Sequence, residues 1–263
     1  MALLQAHRGV SSEAPENTLA AFRMSVEQGY DLIEMDPKVT ADGKFVILHD
    51  RSLKRTARDG DGNPIDVKIA EITLAEAQKY EYGSWFSEEF KGEHIPELWE
   101  ILDFAEANPS IPIKIDNVWE TFSPEHREAF LNEIAARGDK VASIGFTCRT
   151  LECLAQAAEK FPKATLHYDG AALDAETLDQ VKAIAEGHRL IIWVCYENDL
   201  TKWFKGPKAN AELCDFVRQY GEVGVWILSK KDELERAIRE CRANIIETTG
   251  HLKPEWVVEI EGK

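Results

Sequence analysis

From Leu3 onward, short apolar runs alternate with segments whose apolar residues recur at helical spacing, and no other feature constrains the fold so tightly. Strands that each precede a helix lie parallel in one sheet, because the helix carries the chain back to the starting edge. Strands are expected near Leu3–Ala6, Asp31–Val39, Ile113–Ile115, Val141–Ile144, Ala164–His167, Leu190–Val194, Val223–Ile227 and Asn244–Ile246. That makes eight, the number that closes a parallel barrel. Helices are expected over Thr18–Val26, Leu151–Lys160, Ala175–Glu186 and Lys231–Cys241. A chain of 263 residues suits one such barrel.

One stretch breaks the rhythm. After the second strand, Ala41-Asp-Gly43 turns the chain into a further apolar run, Phe45–Leu48, and residues 50–96 are then rich in charge, glycine and aromatics. This stretch reads as an excursion over one face. The expected fold is therefore α/β: a single (β/α)8 TIM barrel over residues 1–263, with an inserted segment at about 50–96.

Composition narrows the function classes. A formal net charge of −16 disfavours nucleic acid and anionic bilayers as partners. An anionic substrate would then need positive charge concentrated locally, from a metal or a few basic side chains. The longest apolar runs, such as Leu190–Cys195, are strand-sized and far short of a membrane span. Five cysteines without a CxxC pair suit buried thiols in a reducing compartment. The first residues, Met1-Ala-Leu-Leu-Gln-Ala6, lack the basic and apolar regions of a leader, so a cytoplasmic location is expected.

Four short segments carry chemistry. His7-Arg8-Gly9 follows the first strand, at the face where barrels place their active sites. Pro15-Glu-Asn-Thr18 leads into the first helix, with Asn17 or Thr18 as its N-cap. Glu34 and Asp36, two apart on a strand, project to one side, where they form a solvated edge, pair with a base, or share a hard cation. His49-Asp50 ends the next apolar run. Histidine exchanges protons near neutral pH, and two of them bracket the carboxylate pair.

In this order His7-Arg8-Gly9, Pro15–Thr18, Glu34-x-Asp36, Thr40–Gly43 and His49-Asp50 resemble the glycerophosphodiester phosphodiesterase family. Leu53–Thr56, Gly83–Phe86, Ile95-Pro96, Val225-Trp226 and Ile245–Thr249 extend the resemblance, which is densest before residue 100. It implies that His7 and His49 are the proton-transfer pair, that Arg8 contacts phosphate, and that Glu34 and Asp36 bind one divalent ion, Mg²⁺ or Ca²⁺. The family's third strand carries glutamate, one residue, then lysine; here it reads Ile111-Pro-Ile-Lys-Ile-Asp-Asn-Val118. One register puts Asp116 at the glutamate position, with Lys114 partly replacing the missing charge. The other exchanges the charges and costs the metal a ligand. The first is preferred, making Asp116 the third ligand and Lys114 a substrate contact.

Trp226 is expected to wall the substrate pocket, and Trp85 and Phe86 to cap it or anchor the insert. His167 reads first as structural, and His94, His126, His188 and His251 as surface residues. The expected partner is a small, water-soluble phosphodiester, without nucleic acid or stable membrane association. The expected reaction is hydrolysis to glycerol phosphate and an alcohol. Attack by a substrate hydroxyl to leave a cyclic phosphate, or phosphate-ester binding without catalysis, are the alternatives.

Overall fold

The computed structural model describes residues 1–262. Eight parallel strands close a barrel: β1 (Leu3–Ala6), β2 (Leu32–Met35), β5 (Ile113–Ile115), β6 (Ile144–Cys148), β7 (Thr165–Tyr168), β8 (Leu190–Cys195), β9 (Glu222–Leu228) and β10 (Ile245–Thr248). Each neighbours its successor around the ring, and β10 returns to β1 through pairs such as Leu4 with Ile246. The expected barrel is the observed one.

Two expected strands differ by more than two residues in their limits. The run Asp31–Val39 divides at Asp36: β2 ends at Met35, and β3 (Pro37–Val39) pairs antiparallel with β4 (Phe45–Ile47) outside the barrel. Pro37 has no N–H to give a ladder, so the chain leaves the sheet there. Asp36 is thereby left at the barrel's mouth. The strand expected at Val141–Ile144 begins only at Ile144, because Gly138–Val141 forms a 3₁₀ turn. Gly145 and Thr147 diluted the apolar signal of the true strand.

Helices α1 (Leu19–Glu27), α3 (Leu98–Ala107), α4 (Pro124–Ala135), α5 (Leu151–Lys160), α6 (Ala175–Ile184), α7 (Ala211–Val217), α8 (Lys231–Arg239) and α9 (Pro254–Glu261) surround the barrel. Between barrel and helices lies the main core, including Phe22, Phe130, Leu154 and Ile192. A separate small core fills the barrel's lower interior, with Leu32, Ile191, Trp193 and Ile245. The insert, which contains the single turn α2 (Leu74–Ala77), has its own core of Leu48, Leu53, Ile69, Tyr82 and Ile95. It is thus a packed appendage of the barrel. All five cysteines are buried free thiols, and no described helix is long and apolar enough to cross a membrane.

Candidate active site

At the ends of the barrel strands a cleft of about 440 Å³ opens, and His7, Arg8, Glu34, Asp36, His49 and Asp116 all line it. Register explains the convergence. Glu34 pairs with Lys114, and the Asp116 N–H donates to the Met35 carbonyl at 2.9 Å, so Asp116 comes level with Asp36. Carboxylate oxygens of Glu34, Asp36 and Asp116 lie within 4.8 Å of one another, the grouping required by the first of the two registers. Three such groups can chelate a hard divalent ion.

The electrostatics of this cluster suit a cation. Burial, aided by Asp36 and Asp116, pushes the Glu34 carboxyl well above its ordinary range. Burial and Asp36 push Asp116 up to about 6. Asp36 is held low, because Arg8 and His49 outweigh the effect of its burial. Close carboxylates that cannot all ionise comfortably are what a bound ion relieves.

His7 leaves β1 with its N–H on the Thr248 carbonyl at 2.8 Å, and its Nε2 lies 3.9 Å from Glu34 Oε2. Burial outweighs Glu247 and lowers its pKa to about 4. Arg8 adopts a φ of 61°, which turns its N–H onto Glu34 Oε2 at 2.9 Å. Its side chain reaches Glu16 at 3.1 Å and Asp36 at 3.2 Å. Gly9 makes this turn possible: its φ is 78°, and a Cβ there would meet Ala21 Cβ at 2.7 Å.

Thr18 is the N-cap, accepting from the Ala21 N–H at 3.2 Å. Asn17 is free for another task. Its Nδ2 donates to Asp36 Oδ2 at 2.8 Å and its Oδ1 accepts from the Asp36 N–H at 3.3 Å, clamping that carboxylate. His49 stands exposed at the lip, with Nδ1 2.7 Å from Asp50 Oδ1. Burial would raise Asp50, but hydrogen bonds from Arg55 and His49 win and hold it at about 2. Since an ionised carboxylate only accepts, His49 Nδ1 is the donor in this contact. Arg55 donates to Asp50 at 2.8 Å and to both Glu16 oxygens at 2.7 Å. The insert thus ties His49 to the loop that carries Arg8.

A model of the glycerophosphoryl diester phosphodiesterase family matches residues 7–236. The chain belongs to this family. It is 43% identical over 101 residues to a glycerophosphodiester phosphodiesterase of Caldanaerobacter subterraneus subsp. tengcongensis, covering 38% of this chain and 39% of that one. The chain matches well under half the length of such curated relatives. A phosphodiesterase of Oleispira antarctica, solved in complex with the product sn-glycerol-3-phosphate, shares the fold at a TM-score of 0.70 and 21% identity, over 99% of this chain and 97% of that one. A glycerophosphodiester phosphodiesterase of Agrobacterium tumefaciens does so at 0.69 and 19%, over 98% and 100%.

Within this family framework, Lys114 is less accessible than the sequence implies. It is 5% exposed, its Nζ is 3.0 Å from Glu247 Oε2, and it sits 4.1 Å from the centre of the Trp193 ring. Glu247, also buried, accepts from Gln5 Nε2 as well. Sequence reading passed over Glu247, although a glutamate inside the apolar run Ile245–Thr248 is itself a signal. Asp169, at the end of β7, also lines the cleft, and burial pushes it up to about 7. Trp226 lines the cleft as expected, packed against Trp203 and Phe204 at 5.9 and 5.2 Å. His167 lies inside the barrel with its Nδ1 accepting from Trp193 Nε1 at 3.1 Å, and burial keeps it neutral. Trp85 and Phe86 pack on each other within the insert, and Arg55 lies 5.5 Å over the Trp85 ring.

Proposed function

We propose that this chain is a divalent-metal-dependent phosphodiesterase that hydrolyses glycerophosphodiesters to glycerol phosphate and an alcohol. One observation carries this reading: the Glu34–Asp36–Asp116 cluster opens into the same cleft as His7, Arg8 and His49, in a member of this family. Its all-oxygen donors fit one hard ion, Mg²⁺ or Ca²⁺. Bound there, the ion would polarise a phosphoryl oxygen.

The chain's own residues supply the rest. Arg8, oriented by Glu16 and Asp36, offers its remaining donors to a phosphate oxygen. Lys114 adds a fixed positive charge below the site, pinned by Glu247. His7 and His49 divide two proton transfers, one from the attacking water and one to the departing alcohol oxygen. Water's oxygen bonds to phosphorus as the phosphorus–alcohol bond breaks, and water's proton balances the leaving alkoxide. Asp50 and Arg55 keep the His49 ring aimed. Trp226 walls the side of the cleft opposite this charge. We assign the action to the cytoplasm, a compartment suited to five buried free thiols.

The test uses purified protein with glycerophosphodiesters and Mg²⁺, Ca²⁺ or Mn²⁺, with product identification. Chelator, His7→Ala and His49→Ala are each expected to abolish cleavage, and glycerol phosphate to accumulate. Activity that survives chelator or either substitution overturns the mechanism, and a persistent cyclic phosphate overturns hydrolysis.

A further inference from the structure

Three of the five cysteines are engaged by other groups. Cys153 Sγ accepts from Arg127 Nη1 at 3.3 Å, Cys148 Sγ donates to the Phe146 carbonyl at 4.0 Å, and Cys195 Sγ accepts from Lys208 Nζ at 3.4 Å. The other two, Cys214 on α7 and Cys241 just beyond α8, hydrogen-bond to each other, with the Cys214 thiol as donor. They are 0% and 3% exposed and belong to the main core. Nothing in the phosphodiester chemistry above uses either one.

Contacts beside the thiols hold their two backbones together. Asp215 pairs with Arg242, so the residue after each cysteine meets the residue after the other. Arg218, one turn further along α7, has its N–H on the Cys214 carbonyl at 3.0 Å. Its Nη2 donates to the Cys241 and Arg242 carbonyls at 2.7 and 2.8 Å. Arg242 takes a φ of 49°, a left-handed turn between α8 and β10 that leaves Cys241 against α7. The hydrogen bond from Cys214, helped by Arg218, holds the Cys241 thiol below its ordinary value against burial, Glu240 and Asp215. The thiolate is the nucleophilic form of cysteine.

We propose that Cys214 and Cys241 form a reversible oxidation site, at which hydrogen peroxide closes a disulfide between α7 and the end of α8. The Cys241 thiolate attacks one peroxide oxygen. An S–O bond forms as the O–O bond breaks, and the departing hydroxide takes up the proton that the Cys241 thiol gave up. The Cys214 sulfur then attacks the Cys241 sulfenic acid. The S–S bond forms, the S–O bond breaks, and a second water leaves with the Cys214 proton. The pair loses two electrons and the peroxide gains them; a dithiol reductant reverses the change. Peroxide is close to water in size, and Cys241 adjoins the exposed Arg242, so local opening of that turn gives access. In a reducing compartment the thiols stay free, and the bond forms only when peroxide rises. The closed ring contains α8 and β9, the strand that carries Trp226 to the cleft.

The test treats the folded full chain with hydrogen peroxide, blocks the remaining thiols by alkylation, and maps the peptides by mass spectrometry. A Cys214–Cys241 cross-link should dominate and disappear with dithiothreitol, while Cys148, Cys153 and Cys195 remain alkylated. In Cys214→Ser the cross-link should be absent and Cys241 should carry a sulfenic acid that a cyclic diketone traps. Closing this ring should raise the melting temperature of the oxidised wild type about 5–10 °C above that of the reduced form. Cys214→Ser should show no such rise. Both thiols still open to alkylation after peroxide, or a cross-link between any other pair, overturns the assignment. So does an oxidised wild type that melts with the reduced form, since the bond would then not span the native contact.

Discussion

Replacing Glu247 with glutamine removes the charge that compensates Lys114. The two groups are 3.0 Å apart and each is 5% exposed, so neither can turn to bulk water. At an effective dielectric constant of about 20, unit charges at that separation attract by about 5.5 kcal/mol. Desolvation of both ions offsets part of this, and breaking one side of a buried pair typically costs about 3–5 kcal/mol. Two features reduce the loss here. Glu34 and Asp116 still act on the Lys114 ammonium, and the glutamine carbonyl still accepts hydrogen bonds. The expected cost is therefore about 2–3 kcal/mol.

Guanidinium unfolding checks it: the midpoint should fall with the slope unchanged. By heat, a domain of this size should lose about 5–10 °C. The exposed pair Arg189–Glu222, at 2.7 Å with 42% and 36% side-chain exposure, provides the control. Glu222→Gln should cost less than about 1 kcal/mol despite the shorter contact. Equal losses in the two variants would refute the reasoning, since burial rather than distance is held to set the difference.

Three further outcomes follow from the same geometry. Arg55→Ala should lower kcat about tenfold with little change in melting temperature, because it frees Asp50 and so the His49 ring; unchanged kcat would sink the positioning role. Asp169 binds more protons in the folded than in the unfolded chain from about pH 4, the unfolded value, to about 7, so its contribution to stability falls as pH rises through that window. Asp169→Asn should remove that decline, and parallel pH–stability curves for variant and wild type would contradict the burial argument. Gly9→Ala forces a Cβ to within 2.7 Å of Ala21 Cβ at a φ of 78° and should cost about 2 kcal/mol or more by denaturant titration; a neutral effect would show that the turn relaxes freely.

What the sequence revealed follows from where each signal is local. The strand β8 is a continuous apolar run, β1 and β5 are short apolar segments each with one polar residue, and α5 has a Thr cap and clear periodicity, so their limits read almost directly. The start of β6 did not, because Gly145 and Thr147 face a crowded interior: a Cβ on Gly145 would meet His167 Nε2 at 2.7 Å. Glu34 and Asp36 were legible through period-two spacing, whereas Asp116 was reached only through the family resemblance, and the pairing of β2 with β5 brings it beside them. Glu247 was not singled out, because its meaning depends on Lys114, 133 positions earlier. Asn17 stood beside Thr18 as a candidate cap, because nothing local distinguishes a cap from a clamp on Asp36. Leu200 and Trp203 follow no helical or strand period, and only the closed barrel brings them beside Trp226.

The barrel interior changes character along its axis, and this gradient makes the site possible. Lys114 on β5 touches Glu247 on β10 and Trp193 on β8, and Trp193 touches His167 on β7; none but the last pair are on adjacent strands, so these contacts cross the lumen. Below this level the lumen is apolar, with Leu32, Ile191 and Ile245. Above it stand His7, Asp36 and Asp116, each two residues further along its strand than Gln5, Glu34 and Lys114. The inward positions thus stack as an apolar layer, a charge-paired layer and a reactive layer. The middle layer separates the other two. An apolar layer directly beneath Asp116 would take away the counter-charge that Lys114 supplies to it from a fixed position, and Glu247 keeps that ammonium from collapsing onto the carboxylates above, whereas Asp36 has its own counter-charges in Arg8 and His49. The ion pair is therefore the floor on which the candidate metal cluster rests, and its loss should disturb the cluster before it disturbs the barrel.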